Sequence, residues 1–155
     1  MDREQIIQSI NNRFKEISTE TIMLHQTVAD IIGLHITDHK SLELIHRYGA
    51  MPAGKLADLT GFTTGAVTGI IDRLEKAGYV KRVSDPKDRR KTIVEPTRDK
   101  NLEKKLQAIF TPLAARMHKL LSGYSDDELI FLFDILTKCL EESHDELLKL
   151  RIRYK

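Results

Sequence analysis

Three features of this 155-residue chain predict a mainly α-helical fold with one small β-hairpin. Long runs at both ends repeat apolar residues every three or four positions. Between them, a short helix, a glycine-containing turn and a second helix follow in close succession. Directly after that second helix come two β-branched segments around a tip of Asp, Pro and clustered cations, Tyr79-Val-Lys-Arg-Val-Ser-Asp85-Pro-Lys-Asp88-Arg-Arg90-Lys-Thr-Ile-Val94. Such a tip reads as a hairpin turn. Helix, turn, helix, hairpin is the order of a winged helix-turn-helix core, here set between long terminal helices that suit dimerisation.

The first helix is predicted over 5–33, where Ile6, Ile10, Phe14, Ile17, Leu24, Val28 and Ile31 recur on one face. At 1.5 Å per residue it is roughly 40 Å long, more than a small monomer covers, which predicts pairing with a second chain. Gly33 ends it, and Thr37 or Asp38 is the expected cap of a helix over 38–47. Gly49-Ala-Met51 leaves room for a very short strand. Pro52 then opens a helix that ends near Thr60-Gly61, with Leu56 and Leu59 buried. Thr63 suits the N-cap of a helix over 64–77 that stops at Gly78. After the hairpin, Thr97 is the expected cap of a helix over 98–121, which Pro112 must kink or interrupt. Ser125-Asp-Asp-Glu128 forms a capping box for a last helix over 126–150, with an apolar face of Leu129, Leu132, Phe133, Leu136, Leu140 and Leu147. The chain is expected to be one domain over 1–155, with a DNA-binding lobe at 37–97 and dimerisation helices at 1–36 and 98–155.

Charge is divided along the chain. From Lys81 to Lys91 six cations face two acids, a surplus of four in a chain whose net charge is only +2. Between 125 and 150 eight acids face two cations. Separated poles imply an oriented partner on the basic side, and a protruding basic arm calls for a polyanion. No run approaches the ~18 apolar residues of a membrane span, and the polar stretch from Met1 to Gln5 leads us to expect no secretory signal. The single Cys139 excludes an internal disulfide and suits a reducing cytoplasm. It lies beside the apolar face of the last helix, where a buried thiol behaves as a small hydrophobe.

Within 64–77, Val67, Ile71 and Leu74 mark the buried face with Ile70 beside it, while Thr64, Gly65, Thr68, Gly69 and Asp72 face outward. A helix with small outward residues and an open N-terminus, capped here by Thr63, can enter a DNA major groove closely. There, Thr methyls touch thymine methyls, hydroxyls bond bases or phosphates, and the helix end attracts phosphate. Lys55, Arg73 and Lys76 are the expected flanking phosphate contacts, which orient the protein without reading sequence. The arm complements this helix through Lys87, Asp88, Arg89, Arg90 and Lys91. A narrow minor groove has enhanced negative potential that an inserted arginine exploits, Pro86 stiffens the tip, and Asp88 can hold a neighbouring guanidinium in a forked pair.

Thr63-Thr-Gly-Ala-Val67-Thr-Gly-Ile-Ile-Asp72-Arg-Leu-Glu-Lys-Ala-Gly78-Tyr-Val-Lys-Arg82, followed by Asp85-Pro-Lys-Asp88-Arg-Arg90, resembles the MarR family of bacterial transcription regulators. The resemblance extends to the long flanking helices. It implies a cytoplasmic homodimer with two winged lobes on a pseudo-palindromic operator in double-stranded DNA, with dimer contacts from the first and the last two helices. It also implies repression relieved by a small anionic or phenolic ligand, held between the dimer region and the DNA lobe. By resemblance, Arg90 takes the place of the wing arginine that enters the minor groove, and Asp88 that of the acid bracing it. Two departures stand out. Many members carry an arginine where Gly69 stands, and Val94-Glu-Pro-Thr97 replaces a common Leu-Thr-x-x-Gly. With Gly69 in that place, Arg90 and groove shape must carry more of the recognition.

Other functions leave weaker traces. No Gly-rich phosphate loop, nucleophile elbow or His-Glu-x-x-His is present, so neither an enzyme nor a cofactor is expected. A winged-helix module that binds protein would not need the basic surplus of the arm. A zinc-responsive regulator of the same fold would use His25, His35, His39 and His46, but no second pair or nearby Cys completes a tetrahedral set. These are expected to be ordinary surface or interface histidines, with no metal bound.

Overall fold

A computed structural model describes residues 1–85 and 92–153. Its elements are α1 (Arg3–Ile32), α2 (Ile36–Tyr48), β1 (Met51–Pro52), α3 (Ala53–Thr60), α4 (Thr64–Lys76), β2 (Val80–Ser84), β3 (Thr92–Pro96), α5 (Lys100–Leu121) and α6 (Asp126–Arg153). The predicted fold class, mainly α with a small wing, is the one observed. The chain divides into two units, 1–105 and 106–155.

In the first unit, β3 is the central strand of a three-stranded antiparallel sheet of order β1-β3-β2. Val94 stands opposite both Met51 of β1 and Arg82 of β2. Pro52 occupies an edge strand, where its missing N–H leaves no gap in the ladder. Beneath the sheet, Leu42 and Ile45 of α2, Leu56 of α3 and Val67, Ile70, Ile71 and Leu74 of α4 form a buried core with Met51, Val80 and Val94. The apolar period of α4 aims all four of its large apolar residues inward. Leu59, expected inside, is half-buried.

Only the end of α1 joins this core. Val28, Ala29 and Ile32 are buried, whereas Ile31, expected on the packed face, is exposed. Gly33 closes the helix at φ 73°, a left-handed conformation that glycine adopts without steric cost. Towards the start of α1, Ile6, Ile7, Ile10 and Ile17 are exposed.

Two caps differ from expectation. α2 starts two residues early because the His35 ring, not Thr37 or Asp38, caps it. His35 Nδ1 accepts weakly from the Thr37 N–H (3.5 Å) and lies 2.9 Å from Thr37 Oγ1. Asp38 is thereby freed to turn inward. At α5, Asp99 Oδ1 accepts from the N–H groups of Asn101 (2.8 Å) and Leu102 (3.2 Å). Thr97 closes the base of the hairpin instead, its N–H donating to the Tyr79 carbonyl (2.9 Å) and its hydroxyl to the Gly78 carbonyl.

In the second unit, α5 continues through Pro112 without interruption. Losing one N–H bond is tolerated because the helical bonds on either side persist. The Ser125 capping box forms as expected. The Ser125 N–H donates to Glu128 Oε2 (2.8 Å) and the Glu128 N–H to Ser125 Oγ (3.4 Å), and the first of these bonds holds the Glu128 carboxyl below its ordinary range. Among the described residues α6 buries no side chain. Cys139, expected in a core, is half-buried. No helix among the described residues is long and apolar enough to cross a membrane.

Candidate nucleic-acid interface

The helix-turn-helix is α3, the turn Gly61–Thr63 and α4. Gly61 takes φ 76° and returns its N–H to the Ala57 carbonyl, ending α3. Thr63 Oγ1 then accepts from the Ala66 N–H (3.2 Å), which starts α4 and leaves its N-terminus open to solvent. Thr64, Gly65, Thr68 and Lys76 are exposed and Gly69 is half-buried. The Thr68 hydroxyl donates to the Thr64 carbonyl (2.9 Å), so its methyl is the part left to face a partner. A cleft of about 330 Å³ runs beside this face, lined by Thr37, Phe62, Gly65, Ala66, Gly69, Ile70 and Arg73.

Arg73 of the predicted DNA surface and two cations of the basic arm hold acids of the protein itself. Arg73 makes a forked pair with Asp38, Nε to Oδ2 and Nη2 to Oδ1, both at 2.7 Å. Asp38 is only 2 % exposed, so this pair satisfies a carboxylate that would be costly to bury alone. On the wing, Lys81 pairs with Glu95 (3.1 Å). The Arg82 guanidinium takes Asp72 (2.5 Å) and Glu75 together, and its backbone N–H donates to Glu75 Oε1 (2.9 Å). That N–H, followed by the guanidinium, holds the Glu75 carboxyl below its ordinary range. Asp72, expected as an outward residue of the reading face, is therefore tied to the wing. Part of the basic surplus of the arm is thus neutralised within the protein. Lys87, Asp88, Arg89, Arg90 and Lys91 lie outside the described residues.

A second polar cluster sits where α1 meets α2. His25 Nδ1 lies 3.3 Å from His39 Nε2, with ring centroids 5.5 Å apart. His39, expected to be an ordinary surface or interface histidine, is buried, because its turn of α2 lies inward beside Ser41 and Leu42. Burial pushes its imidazole down from the ordinary value and His25 adds to this, against the opposing pull of Glu43. Burial alone would raise the Glu43 carboxyl, but the Lys40 hydrogen bond and the Lys40 and Arg47 charges outweigh it and hold the group low. Among the described residues no three His, Cys, Asp or Glu side chains gather as a metal site.

Residues 34–92 match the MarR family. Over 149 residues, 96% of each chain, the sequence is 36% identical to YcgE of Bacillus subtilis, an uncharacterised HTH-type transcriptional regulator. In structure it is similar to FabT of Streptococcus pneumoniae, solved in complex with DNA, with a TM-score of 0.70 at 22% identity over 90% of this chain and 98% of that one. Wild-type apo MarR from E. coli is also similar, with a TM-score of 0.57 at 22% identity over 90% and 97%.

Proposed function

The chain belongs to the MarR family of winged-helix regulators, and on that premise we propose that it binds double-stranded DNA as a homodimer and represses transcription. The observation that carries the proposal is α4. Its four large apolar side chains are buried, its outward face is small, and its N-terminus is open beside a hairpin whose tip sequence is basic. In this proposal Thr63, Thr64, Gly65, Thr68 and Gly69 enter the major groove. Lys76 flanks them on phosphate, and Arg73, with Nε and Nη2 on Asp38, mainly braces the helix. Lys87, Asp88, Arg89, Arg90 and Lys91 form the minor-groove arm. The lobe is assigned to 37–97, and the helices of 1–36 and 98–155 to dimerisation. Apolar side chains exposed on α1 and α6 support that assignment, since a lone soluble chain rarely leaves such stretches uncovered. Two lobes then match half-sites about 34–36 Å apart on a pseudo-palindromic operator, and release by a small anionic or phenolic ligand follows from a change in that spacing. The ligand class rests on the family resemblance alone.

Fluorescence anisotropy with a promoter duplex tests the proposal. Arg90→Ala is expected to weaken operator binding by about 1–3 kcal/mol and to lower the salt slope by about 1. Unchanged affinity and slope would remove the arm from the interface.

A further inference from the structure

Arg82 is held by the helix assigned to the major groove although it belongs to the strand that carries the arm. Asp72 and Glu75 stand one turn apart on α4, so a single planar fork on β2 can take both. The Arg82 backbone N–H adds a bond to the same Glu75 carboxylate, which fixes the strand as well as the side chain. The base of β2 is also held by the turn at Ala77–Tyr79, where Gly78 takes φ 81°, by the Thr97 bonds, by its pairing with β3 and by the buried Val80. Two residues further along the strand, three bonds from one arginine to two helix carboxylates tie β2 directly to α4.

We propose that Arg82 is a positioning residue that fixes the angle between the recognition helix and the wing, so that both reach their grooves at once. It is not a DNA-contacting cation, and Glu75 and Asp72 are its partners in that role. This inference rests on the DNA-binding reading and deepens it.

Pure charge and positioning predict opposite signs. Glu75→Gln removes a negative charge, and electrostatics alone would tighten binding to any DNA. Loss of the clamp weakens binding to the operator only. Arg82→Lys keeps the charge but cannot reproduce the fork. The experiment compares wild type, Glu75→Gln and Arg82→Lys by anisotropy, on a duplex selected by the wild-type protein from random-sequence DNA and on a scrambled duplex of equal length. Far-UV circular dichroism confirms folding. Both variants are expected to lose about tenfold on the selected duplex, comparable to one mismatched base pair, with scrambled-duplex affinity unchanged for Arg82→Lys and no weaker for Glu75→Gln. Tighter or equal operator binding by Glu75→Gln, or wild-type behaviour of Arg82→Lys, overturns the clamp. If the wild-type protein selects no duplex at all, the DNA-binding reading itself fails, and the clamp with it.

Discussion

The winged lobe and α6 use similar apolar residues to different ends. In the lobe, Leu42, Ile45, Leu56, Ile71 and Leu74 are almost wholly removed from solvent. Along α6, Phe133 remains 72 % and Leu140 70 % exposed, although Leu129, Leu132, Phe133, Leu136, Leu140 and Leu147 recur at helical spacing. The lobe buries the apolar faces of its helices, whereas that of α6 stays exposed. Helical periodicity marks an apolar face; it does not state what covers it.

Substitutions can break that contrast from either side. The largest effect is expected inside the lobe. Leu74→Ala should cost about 2–5 kcal/mol in chemical denaturation, because a fully enclosed side chain leaves a cavity. Next is Leu140→Glu, which should leave the circular dichroism of the lobe intact. In sedimentation velocity it should weaken self-association by about 2 kcal/mol or more, roughly thirtyfold. A variant that stays monomeric without losing stability would sharpen the contrast, and one that unfolds the lobe would break it. A smaller effect belongs to His39. Its native pKa lies below the unfolded value near 6.5, so its contribution is full above that pH and fades as pH falls through the native value. Thermal melts between pH 7.5 and pH 5.5 should show this loss, and His39→Gln should flatten it. The smallest effect is a gain. Among the described residues a Cβ at Gly69 would meet Arg73 Nη1 at an ordinary 3.5 Å, so Gly69→Ala should raise stability by about 0.5–1 kcal/mol through helix propensity.

What was legible in the sequence was local. The inward face of α4, the stops at Gly33 and Gly61 and the Ser125 capping box all depend on residues within four positions of one another. What escaped was set by distance along the chain. Arg73 finds Asp38 across 35 residues, and Arg82 finds Asp72 across ten, so cations counted for DNA proved to belong partly to the protein. The caps at His35 and Asp99 have a related cause. Thr97 is of a capping type, but the hairpin base takes its N–H and hydroxyl, and Asp38 is held by a guanidinium 35 residues away.

Thr97 has a mechanical consequence. It bolts the exit of the wing to the Gly78 and Tyr79 carbonyls just beyond α4, and only Arg98 and Asp99 separate it from the first turn of α5, where Leu102 is buried. Three peptide links span at most ~10 Å, so the joint has almost no slack. Within the first unit, a displacement of the first turn of α5 is therefore passed to the tail of the recognition helix with little lost on the way.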